Sequence, residues 1–560
     1  MIRQKIIVVG GLSAGPSAAA KARRENEEAE IILFEKGANI SYATCGMPYA
    51  FSGVIEKREK LIVVKPDLMR DRFKIDVRMN EEILDIDTDN KIAITAQGEY
   101  PYDKLVFATG AKSIVPPIKG IDSSNNWSTC RTMNDFDKIT KQVLPKNAKN
   151  ITVIGAGLIG VEVAENLAKA GKNVTLIEGA KEVLPMFESN FGFFANSVLQ
   201  DNKINVITDT FVHEFITEKN RITSVKLNEL EHIDTDFVIL SIGIKPNTDI
   251  LIRRGARHLN NGALKVNQHM ETSIKDVYAA GDNAAIKNLQ TDEYDYFPLG
   301  THSNKGGRTA GANAVGKDLI FKGAYKTAIV KVFDFTLART GLNTHTLDRL
   351  NIPYKKVISI AGSTPSYYPN PKDLIIELFY HSVTNEILGA ELFGEYGVDK
   401  RVDVLSTAIY AKLKVSDLSQ LDLAYAPPFS PAKDPIVVTG FMSENISSNK
   451  CSQLSVHEFE EYVTNHNADE YTVVDVRTVA EYGRGFIPNA INLPLDDLRN
   501  SISTLENKEK PLIIYCQKGL RGYLARLIFR HNKFENVISI AGGYKLWLMH
   551  GNKIEKPALV

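Results

Sequence analysis

Apolar runs, glycine-rich turns and small-residue helices follow one another in a unit that occurs twice along the chain. The first copy, at residues 5–36, reads KIIVVGGLSAGPSAAAKARRENEEAEIILFEK, and the second, at 150–179, reads NITVIGAGLIGVEVAENLAKAGKNVTLIEG. In each copy a β-branched run precedes the glycines, and a helix and a second apolar run follow them. The pattern predicts two strand–turn–helix–strand units of the kind that binds dinucleotides.

The second copy carries the complete glycine pattern, with Gly155, Gly157 and Gly160. The first glycine permits the tight turn, the second lets the backbone approach a pyrophosphate, and the third lets helix and strand pack closely. A helix N-terminus at this point favours the anion. Glu178 ends the second strand, where a carboxylate accepts a ribose 2′-hydroxyl and repels a 2′-phosphate, so NADH is favoured over NADPH. The predicted NAD contacts are Gly155, Gly157, Ile159, Gly160, Glu178 and Gly243.

The first copy departs from this pattern at its middle position. Gly10 and Gly15 hold the outer positions, whereas Leu12 stands between them. Glu35 ends the second strand, as Glu178 does in the other copy. Either copy alone could be a helix–strand turn without a ligand, but two copies that both end in an acid favour dinucleotide domains.

The pattern changes after about residue 325. Three stretches there, within 326–342, 354–362 and 372–394, alternate strand and turn signals, and VDKRVDVLSTAIYAKL has the period of an amphipathic helix. A Ser- and Asn-rich linker is predicted at 446–454, before a small α/β unit with two short buried strands and a helix from Arg521 to His531. The predicted fold class is α/β, with units at 1–118 together with 250–324, 119–249, 325–445 and 455–560.

Composition narrows the possible functions. A chain of 560 residues exceeds one hydrophobic core and corresponds to roughly three to four domains. Lys+Arg and Asp+Glu both number 67, so no global positive field exists to hold nucleic acid or an anionic membrane. No apolar run reaches the length of a membrane span, and the N-terminus runs directly into a strand rather than a signal peptide.

Four cysteines, Cys45, Cys130, Cys451 and Cys516, are too few for a disulfide scaffold. Their wide spacing fits no metal site, so we predict no metal and a reducing cytoplasm. Cys130 is expected to be a core thiol. Cys451 lies in the predicted linker, which would leave it exposed.

Cys516 follows a buried strand and opens a short loop before a helix. The N–H groups of such a loop and of the helix N-terminus form an anion cradle, which lowers a thiol pKa and stabilises a persulfide anion. Lys518 and Arg521 are expected to add positive charge, and Asp475 and Arg477 to orient the fold. The predicted loop residues are Gln517, Lys518, Gly519, Leu520 and Arg521.

The two units, ATG at Ala108–Gly110 and YAAGD at 278–282, taken in this order, resemble the flavoprotein disulfide reductases with two dinucleotide-binding domains. The resemblance implies FAD on residues 1–118 and 250–324, NAD(P)H on 119–249, and a dimerisation domain at 325–445, hence a homodimer. It places Asp282 at the ribityl chain or phosphate region and Arg131 near the FAD. The implied FAD contacts are Gly10, Gly15, Glu35, Lys36, Ala108, Thr109, Gly110, Arg131, Gly281 and Asp282.

Cys45 lies in SYATCGMPY, with no second cysteine before Cys130, so a disulfide within this loop is excluded. This motif resembles the single-cysteine branch of that family, which contains coenzyme A (CoA) disulfide reductases, persulfide reductases, NADH oxidases and peroxidases. CGMPY is closer to the first two. One cysteine beside a flavin can cycle through a mixed disulfide or through a sulfenic acid. The alternative is a small buried hydrophobe.

The CoA branch also implies tyrosines that approach the cysteine from the partner subunit, where a phenol stabilises a thiolate or protonates a leaving one. Tyr425 and either Tyr367 or Tyr368 are the candidates, and we favour Tyr367. The family often has a histidine in the segment PLGTHSNKGGR, where we place Asn304 at that position and His302 two residues earlier. Each single Lys or Arg could equally be a solvated surface residue. The CoA contacts implied are Ser17, Lys21, Arg24, Ser41, Thr44, Arg72, Asn304 and Lys433.

Residues 475–495, 513–525 and 539–547 resemble a rhodanese domain. With the reductase, this implies NADH-dependent reduction of CoA persulfide, CoA disulfide, glutathione persulfide or polysulfide at Cys45, while Cys516 carries sulfane sulfur to a thiol such as CoA. Three alternatives stay open: an NADH oxidase or peroxidase with a Cys45 sulfenic acid, a non-catalytic redox-sensing or sulfur-carrier adaptor, and an inactive rhodanese module. The sequence does not decide among the substrates, or whether sulfur passes directly between the two cysteines.

Overall fold

A computed structural model describes residues 3–145 and 148–557. The chain forms two compact units, one of Met1–Pro185 with Leu199–Tyr325 and the other of Met186–Val198 with Lys326–Val560. In the described part of the chain, no helix combines the length and the apolar character needed to cross a bilayer.

The first unit begins with the strand–turn–helix–strand arrangement that the sequence predicts. Strand β1 pairs in parallel with β2 on one side and β7 on the other, so the first glycine turn follows a central strand. The elements are β1 (Lys5–Val9), α1 (Ala14–Glu25), β2 (Glu30–Glu35), α2 (Met47–Phe51), α3 (Pro66–Phe73), β3 (Asp76–Met79), β4 (Asp85–Asp87), β5 (Ile92–Ile94), β6 (Glu99–Pro101), β7 (Lys104–Phe107) and β8 (Ala111–Ser113).

The second copy builds another parallel sheet, whose order is β12-β11-β10-β16-β9. Its glycine turn again follows the central strand, β10. The elements are β9 (Trp127–Thr129), α4 (Met133–Gln142), β10 (Asn150–Ile154), α5 (Leu158–Lys169), β11 (Asn173–Ile177), α6 (Ser189–Asp201), β12 (Asn205–Ile207), β13 (Glu214–Glu218), β14 (Arg221–Lys226), β15 (His232–Asp234), β16 (Phe237–Leu240) and β17 (Ile244–Pro246).

The chain then returns to the first sheet, whose order is β19-β7-β1-β2-β3. Helix α8 packs on α1 so closely that a Cβ on Gly307 or Gly311 would lie 2.3 or 2.1 Å from a carbonyl oxygen of α1. The small residues of both helices therefore bring their backbones together. The elements are α7 (Asp249–Arg253), β18 (Leu264–Lys265), β19 (Val277–Ala279), β20 (Ala284–Lys287), β21 (Tyr294–Tyr296) and α8 (Gly300–Ala314).

The second unit contains an antiparallel sheet of order β22-β23-β26-β25-β24. Residues Met186–Val198, within the predicted domain 119–249, belong to this unit. Phe194 packs on Phe393 with ring centroids 5.4 Å apart, and Glu188 accepts hydrogen bonds from Thr344. The elements are β22 (Ala328–Val332), β23 (Phe335–Gly341), α9 (Thr344–Arg349), β24 (Tyr354–Gly362), β25 (Asp373–His381), β26 (Ile387–Gly394), α10 (Val398–Tyr410), α11 (Val415–Leu418) and α12 (Pro435–Ser447).

The last hundred residues form a parallel sheet of order β27-β31-β30-β28-β29 within the same unit. Both α12 and β27 reach into the predicted linker 446–454, which is therefore shorter than expected. Cys451 is buried there, contrary to the expected exposure, because β27 pairs with β31 directly after it. The elements are β27 (Gln453–Leu454), α13 (Val456–Asn465), β28 (Thr472–Asp475), α14 (Val479–Tyr482), β29 (Ala490–Asn492), α15 (Leu498–Ser501), β30 (Leu512–Tyr515), α16 (Leu520–His531), β31 (Val537–Ile540) and α17 (Gly543–Met549).

Candidate active site

The glycine turn after β10 leaves open space at one position. Gly155 has a φ of +97°, and a Cβ on Gly160 would lie 1.8 Å from the Gly155 carbonyl oxygen, so neither position accepts a side chain. A Cβ on Gly157 would meet no atom within 4 Å, and Gly157 begins α5 without a side-chain cap. Free first-turn N–H groups beside open space fit a pyrophosphate.

The acid at the end of β11 bends back to this turn. Glu178 accepts hydrogen bonds from the N–H of Ala156 through Oε2, at 2.6 Å, and from that of Ala180 through Oε1, at 2.9 Å. The carboxylate thus lies beside the glycine turn. Of the other two predicted contacts, Ile159 is 42 % exposed on the first turn of α5, and Gly243 has a φ of +111°.

The first turn repeats this arrangement despite Leu12. A Cβ on Gly10 would lie 2.2 Å from the Ala108 carbonyl oxygen, and one on Gly15 would lie 1.8 Å from that of Gly10. Glu35 accepts hydrogen bonds from the N–H groups of Gly11, at 2.8 Å, and Gly37, at 2.7 Å. The two turns therefore have the same shape.

Lys36, a predicted FAD contact, pairs with Glu82 instead of with a residue of the first glycine turn. Its ammonium lies 3.7 Å from Glu82, and its side chain is 66 % exposed. It contributes an exposed ion pair on the surface, so nothing in its contacts links it to the first turn.

Residues from four distant segments meet near the ends of β7 and β19. Arg131 Nη2 lies 2.7 Å from Asp282 Oδ2, and its Nε donates to the Ala111 carbonyl at 2.7 Å. Thr109 donates to the Asn247 carbonyl at 2.6 Å. The remaining predicted contacts here, Ala108, Gly110 and Gly281, belong to the same two chain turns, and both glycines have positive φ.

Cys45 is exposed, in a 3-10 turn at Thr44–Gly46 that leads directly into α2. Thr44 Oγ1 lies 3.9 Å from its Sγ. Helix α2 is hydrogen-bonded to helix α5: Tyr49 donates to Glu162 at 2.9 Å, and Ser52 donates to Asn166 at 2.6 Å. The cysteine loop is thereby anchored to the helix that begins at the second glycine turn.

Two of the predicted CoA contacts touch each other. Ser17 on α1 donates to Asn304 on α8 at 2.8 Å. Ser41 lies on the loop before Cys45, with a φ of +46°, and its N–H donates to the Gly11 carbonyl at 2.8 Å. His302 packs edge-on against Phe297, and burial lowers its pKa.

The four basic residues predicted to bind CoA lie in three separate segments of the chain. Lys21 is paired with Glu25 on its own helix, while Arg24 and Arg72 are exposed on α1 and α3. Lys433 is exposed in the second unit. Lys21 is therefore neutralised locally, and the other three are open to solvent.

Tyr367 and Tyr425 meet through their hydroxyls, which lie 3.2 Å apart. Both side chains are exposed, and the hydrogen bond between the two hydroxyls raises the pKa of Tyr367. Tyr368 instead lines a surface cavity of about 500 Å³ with Tyr396 and Lys372.

Cys516 ends β30 in a buried position, and its Sγ accepts a hydrogen bond from the N–H of Gly519 at 3.1 Å. The Gly519 φ of +139° lets the loop fold back over the sulfur. Tyr544 N–H donates to the Cys516 carbonyl at 2.8 Å, and Lys545 N–H donates to that of Gln517 at 3.1 Å. The loop thus has the cradle form that the sequence predicts.

The two cations of this loop, however, are both held by carboxylates. Lys518 Nζ lies 2.7 Å from Asp373 Oδ1, and Arg521 makes two 2.7 Å hydrogen bonds to Glu481. The Arg521 contact lowers the pKa of Glu481 to about 2. Both side chains therefore bring their positive charge to this loop as one half of an ion pair. Leu520, the remaining loop residue, is 72 % exposed.

Asp475 and Arg477 form a buried ion pair at 2.6 Å. The guanidinium also stacks over Tyr544, 3.8 Å from the ring centroid. This orienting role for the fold agrees with the prediction.

Comparison with known proteins assigns the chain. The model of the pyridine nucleotide-disulphide oxidoreductases matches residues 4–303, that of their dimerisation domain residues 327–435, and that of the rhodanese-like domain residues 455–550. The chain belongs to the pyridine nucleotide-disulphide oxidoreductase family.

Relatives of this oxidoreductase include sulfur-reducing enzymes. A reduced CoADR-RHD from Bacillus anthracis is 37 % identical and covers 98 % of each chain with a TM-score of 0.93. A NAD(P)H coenzyme A polysulfide/persulfide reductase from Pyrococcus horikoshii is 31 % identical over 78 % of this chain and 98 % of its own. An NADH oxidase from Methanocaldococcus jannaschii is 30 % identical over 80 % of this chain and 100 % of its own.

Membership implies a flavin and a pyridine nucleotide, and this oxidoreductase contains two glycine turns of the same form. Both turns exclude side chains at their outer glycines, and both have an acid whose carboxylate returns to the turn. The residues present therefore fit two dinucleotides.

Sequence reasoning overlooked Glu162 in this oxidoreductase. Burial raises its pKa to about 7, although the hydrogen bond from Tyr49 opposes the shift. The available signal was an acid two positions after Gly160, among the apolar residues of a buried helix.

Burial also raises the pKa of Cys130 to about 12, as befits the predicted core thiol, and raises that of Cys451.

Proposed function

We propose that this oxidoreductase uses FAD and NADH to reduce S–S bonds of CoA disulfide, CoA persulfide or polysulfide through Cys45, and that its rhodanese-like domain carries sulfane sulfur on Cys516. The observation that carries the proposal is the pair of cysteine sites in one chain. Cys45 is exposed on a loop anchored to helix α5, and Cys516 lies in the loop cradle of a rhodanese-like domain. The names of CoADR-RHD and of the polysulfide/persulfide reductase support it.

The cofactors are assigned by turn. FAD would be held by Gly10, Gly15 and Glu35, with Arg131 and Asp282 beside it, and would supply electron transfer between the reduced nicotinamide and sulfur. NADH would be held by Gly155–Gly160, and Glu178 would accept its ribose hydroxyl. A carboxylate at that position repels the extra phosphate of NADPH.

Cys45 would act as the nucleophile. Its thiolate attacks the S–S bond of CoA disulfide, forming a mixed disulfide and releasing CoA thiolate, which takes up a proton. With CoA persulfide, attack on the sulfur bound to CoA releases hydrosulfide instead. The mixed disulfide then needs two electrons and a proton, supplied by NADH, to release CoA and restore the thiolate.

Tyr367 and Tyr425 would serve this step from the other subunit of a homodimer. A phenol can donate a proton to a leaving thiolate. Ser17 and Asn304, which contact each other, are the best-supported residues for binding CoA, and exposed Arg24, Arg72 and Lys433 remain candidates for its phosphates. Ser41 and Thr44 flank Cys45 in sequence and would add hydrogen bonds.

The decisive experiment follows anaerobic NADH oxidation with CoA disulfide, CoA persulfide and polysulfide in parallel, with sulfide measured at the end. We expect Cys45→Ser to abolish turnover on all three substrates, because it removes the nucleophile. The control Cys516→Ser should keep CoA disulfide reduction, since that cysteine acts on sulfane sulfur. Undiminished turnover in Cys45→Ser would contradict the proposal.

A second candidate function is an NADH oxidase or peroxidase with a Cys45 sulfenic acid. It is favoured by the Methanocaldococcus jannaschii relative, which is named an NADH oxidase, and by the single cysteine of this loop, whose sulfur peroxide can oxidise to a sulfenic acid. Rapid NADH oxidation with O₂ or H₂O₂, together with no reaction on the three sulfur substrates, would select it.

A further inference from the structure

Asp373, the first residue of β25 in the dimerisation domain, binds two lysines of the rhodanese-like domain. Its Oδ1 lies 2.7 Å from Lys518 in the Cys516 loop, and its Oδ2 pairs with Lys545 at the start of α17. The carboxylate side chain is 17 % exposed. Burial alone would raise its pKa, but the hydrogen bonds from both lysines lower it.

Both lysines belong to or contact the Cys516 loop. Lys518 is two residues from Cys516, and the backbone N–H of Lys545 donates to the Gln517 carbonyl at 3.1 Å. The other loop cation, Arg521, is neutralised within its own domain by Glu481. The placement of the Lys518 charge is therefore set by a residue outside the rhodanese-like domain.

Contact between the two domains does not depend on Asp373. Lys356 on β24 pairs with Glu458 on α13 at 2.8 Å, and the Gln453 amide bonds the main chain of Ile358 at 3.3 and 3.4 Å. Replacing Asp373 should thus free the two lysines while the domains stay together.

We propose that Asp373 is a positioning residue for sulfur transfer: by holding the Lys518 ammonium in an ion pair, it makes the reactivity of Cys516 depend on docking to the dimerisation domain. A released ammonium near the loop favours the thiolate and also attracts anionic sulfur donors. The proposal rests on the proposed sulfur-carrying role of Cys516.

The test uses the full-length flavoprotein with Cys45→Ser as background, so that Cys516 is the reacting thiol. Alkylation of Cys516 by iodoacetamide is followed against pH by peptide mass spectrometry, and sulfur transfer from thiosulfate to cyanide is measured in parallel. We expect Asp373→Asn to move the midpoint of the alkylation profile down by several tenths of a pH unit and to lower the KM for thiosulfate.

Two controls separate this role from general stability. Lys356→Met breaks the other interdomain ion pair and should leave the profile in place. In a Lys518→Met background, the Asp373→Asn shift should be at least halved, because the charge that it releases is absent. An unchanged profile in Asp373→Asn, or an equal shift with and without Lys518, would overturn the proposal. Absence of sulfur transfer in the background protein itself would instead contradict the role of Cys516, and the alkylation profile would still test Asp373.

Discussion

At the scale of single residues, the environment decides which side chains are poised to react. Cys45 and Cys516 occupy settings that a sequence pattern can predict, whereas Cys130 is buried and its pKa is raised to about 12. Glu162 was not predicted, because a glutamate on an amphipathic helix ordinarily faces water. Only its hydrogen bond to Tyr49, 113 residues away, identifies it as part of the site.

Glu162 makes stability depend on pH. Its pKa rises from the ordinary 4.5 to about 7 on folding, so the folded chain holds the proton more tightly than the unfolded chain does. The stability that this gives is complete below about pH 4.5 and is lost as the pH rises through 7. Glu162→Gln is neutral throughout and keeps an acceptor for Tyr49.

We therefore expect Glu162→Gln to match the wild type near pH 5 and to be more stable, by on the order of 2 kcal/mol, at pH 8.5. Denaturant unfolding at both pH values measures the difference. Glu59→Gln, at an exposed site, is the control and should show no such trend. A Glu162→Gln difference that is constant with pH would contradict the assignment.

At the scale of elements, the two glycine turns show which features are local. Positive φ values at Gly10 and Gly155 and the tight packing at Gly15 and Gly160 follow from the motif itself, and both turns formed as predicted. Glu35 and Glu178 also return to their turns in the same way, although they lie 25 and 23 residues after Gly10 and Gly155. Each acid stands at the end of the strand that pairs with the strand before its turn. The local sequence could not predict where the linker ends, because β27, which follows it, has only two residues and is defined by its pairing with β31.

Gly157 offers a test of the second turn. A methyl group there meets no protein atom but fills the space that we assign to the pyrophosphate. Gly157→Ala should raise the KM for NADH by about tenfold, or roughly 1.4 kcal/mol, with an unchanged melting temperature.

Gly160→Ala is the matched contrast. Its methyl group would clash with the Gly155 carbonyl, so this variant should lose thermal stability as well. Unchanged NADH kinetics in Gly157→Ala would exclude this turn as the NADH site.

At the scale of the whole molecule, the order of units along the chain follows the prediction, while one segment does not. Residues Met186–Val198 lie within 119–249, the range predicted to bind NAD(P)H, but they pack in the second unit. Phe193 and Phe194 both contact His550 there, more than 350 residues farther along the chain. The local sequence around these rings carries no information on His550 as their partner.

Mixed dimers test the homodimer proposal. One subunit carries Cys45→Ser, and the other carries Tyr367→Phe with Tyr425→Phe. If the tyrosines serve the cysteine of the other subunit, one of the two sites in each mixed dimer is intact.

Mixed dimers should then regain about half of the wild-type CoA disulfide reductase activity per dimer, while each parent homodimer stays below it. Tagged subunits purified in tandem and assayed anaerobically give the measurement. Activity no higher than that of the parents would place the tyrosines and the cysteine in the same subunit, or remove the tyrosines from the reaction.

The sequence by itself determined the strand–turn–helix units, their glycines and acids, and the two cysteine loops, because these depend on backbone conformation and side-chain period within some thirty residues. The tertiary structure alone decided which charges those loops experience. Lys518 meets Asp373 across 145 positions, Arg521 meets Glu481 across 40, and Tyr49 meets Glu162 across 113. The strength of a charge interaction depends on the distance between the groups in space, and contacts between residues this far apart along the chain form only in the folded tertiary structure.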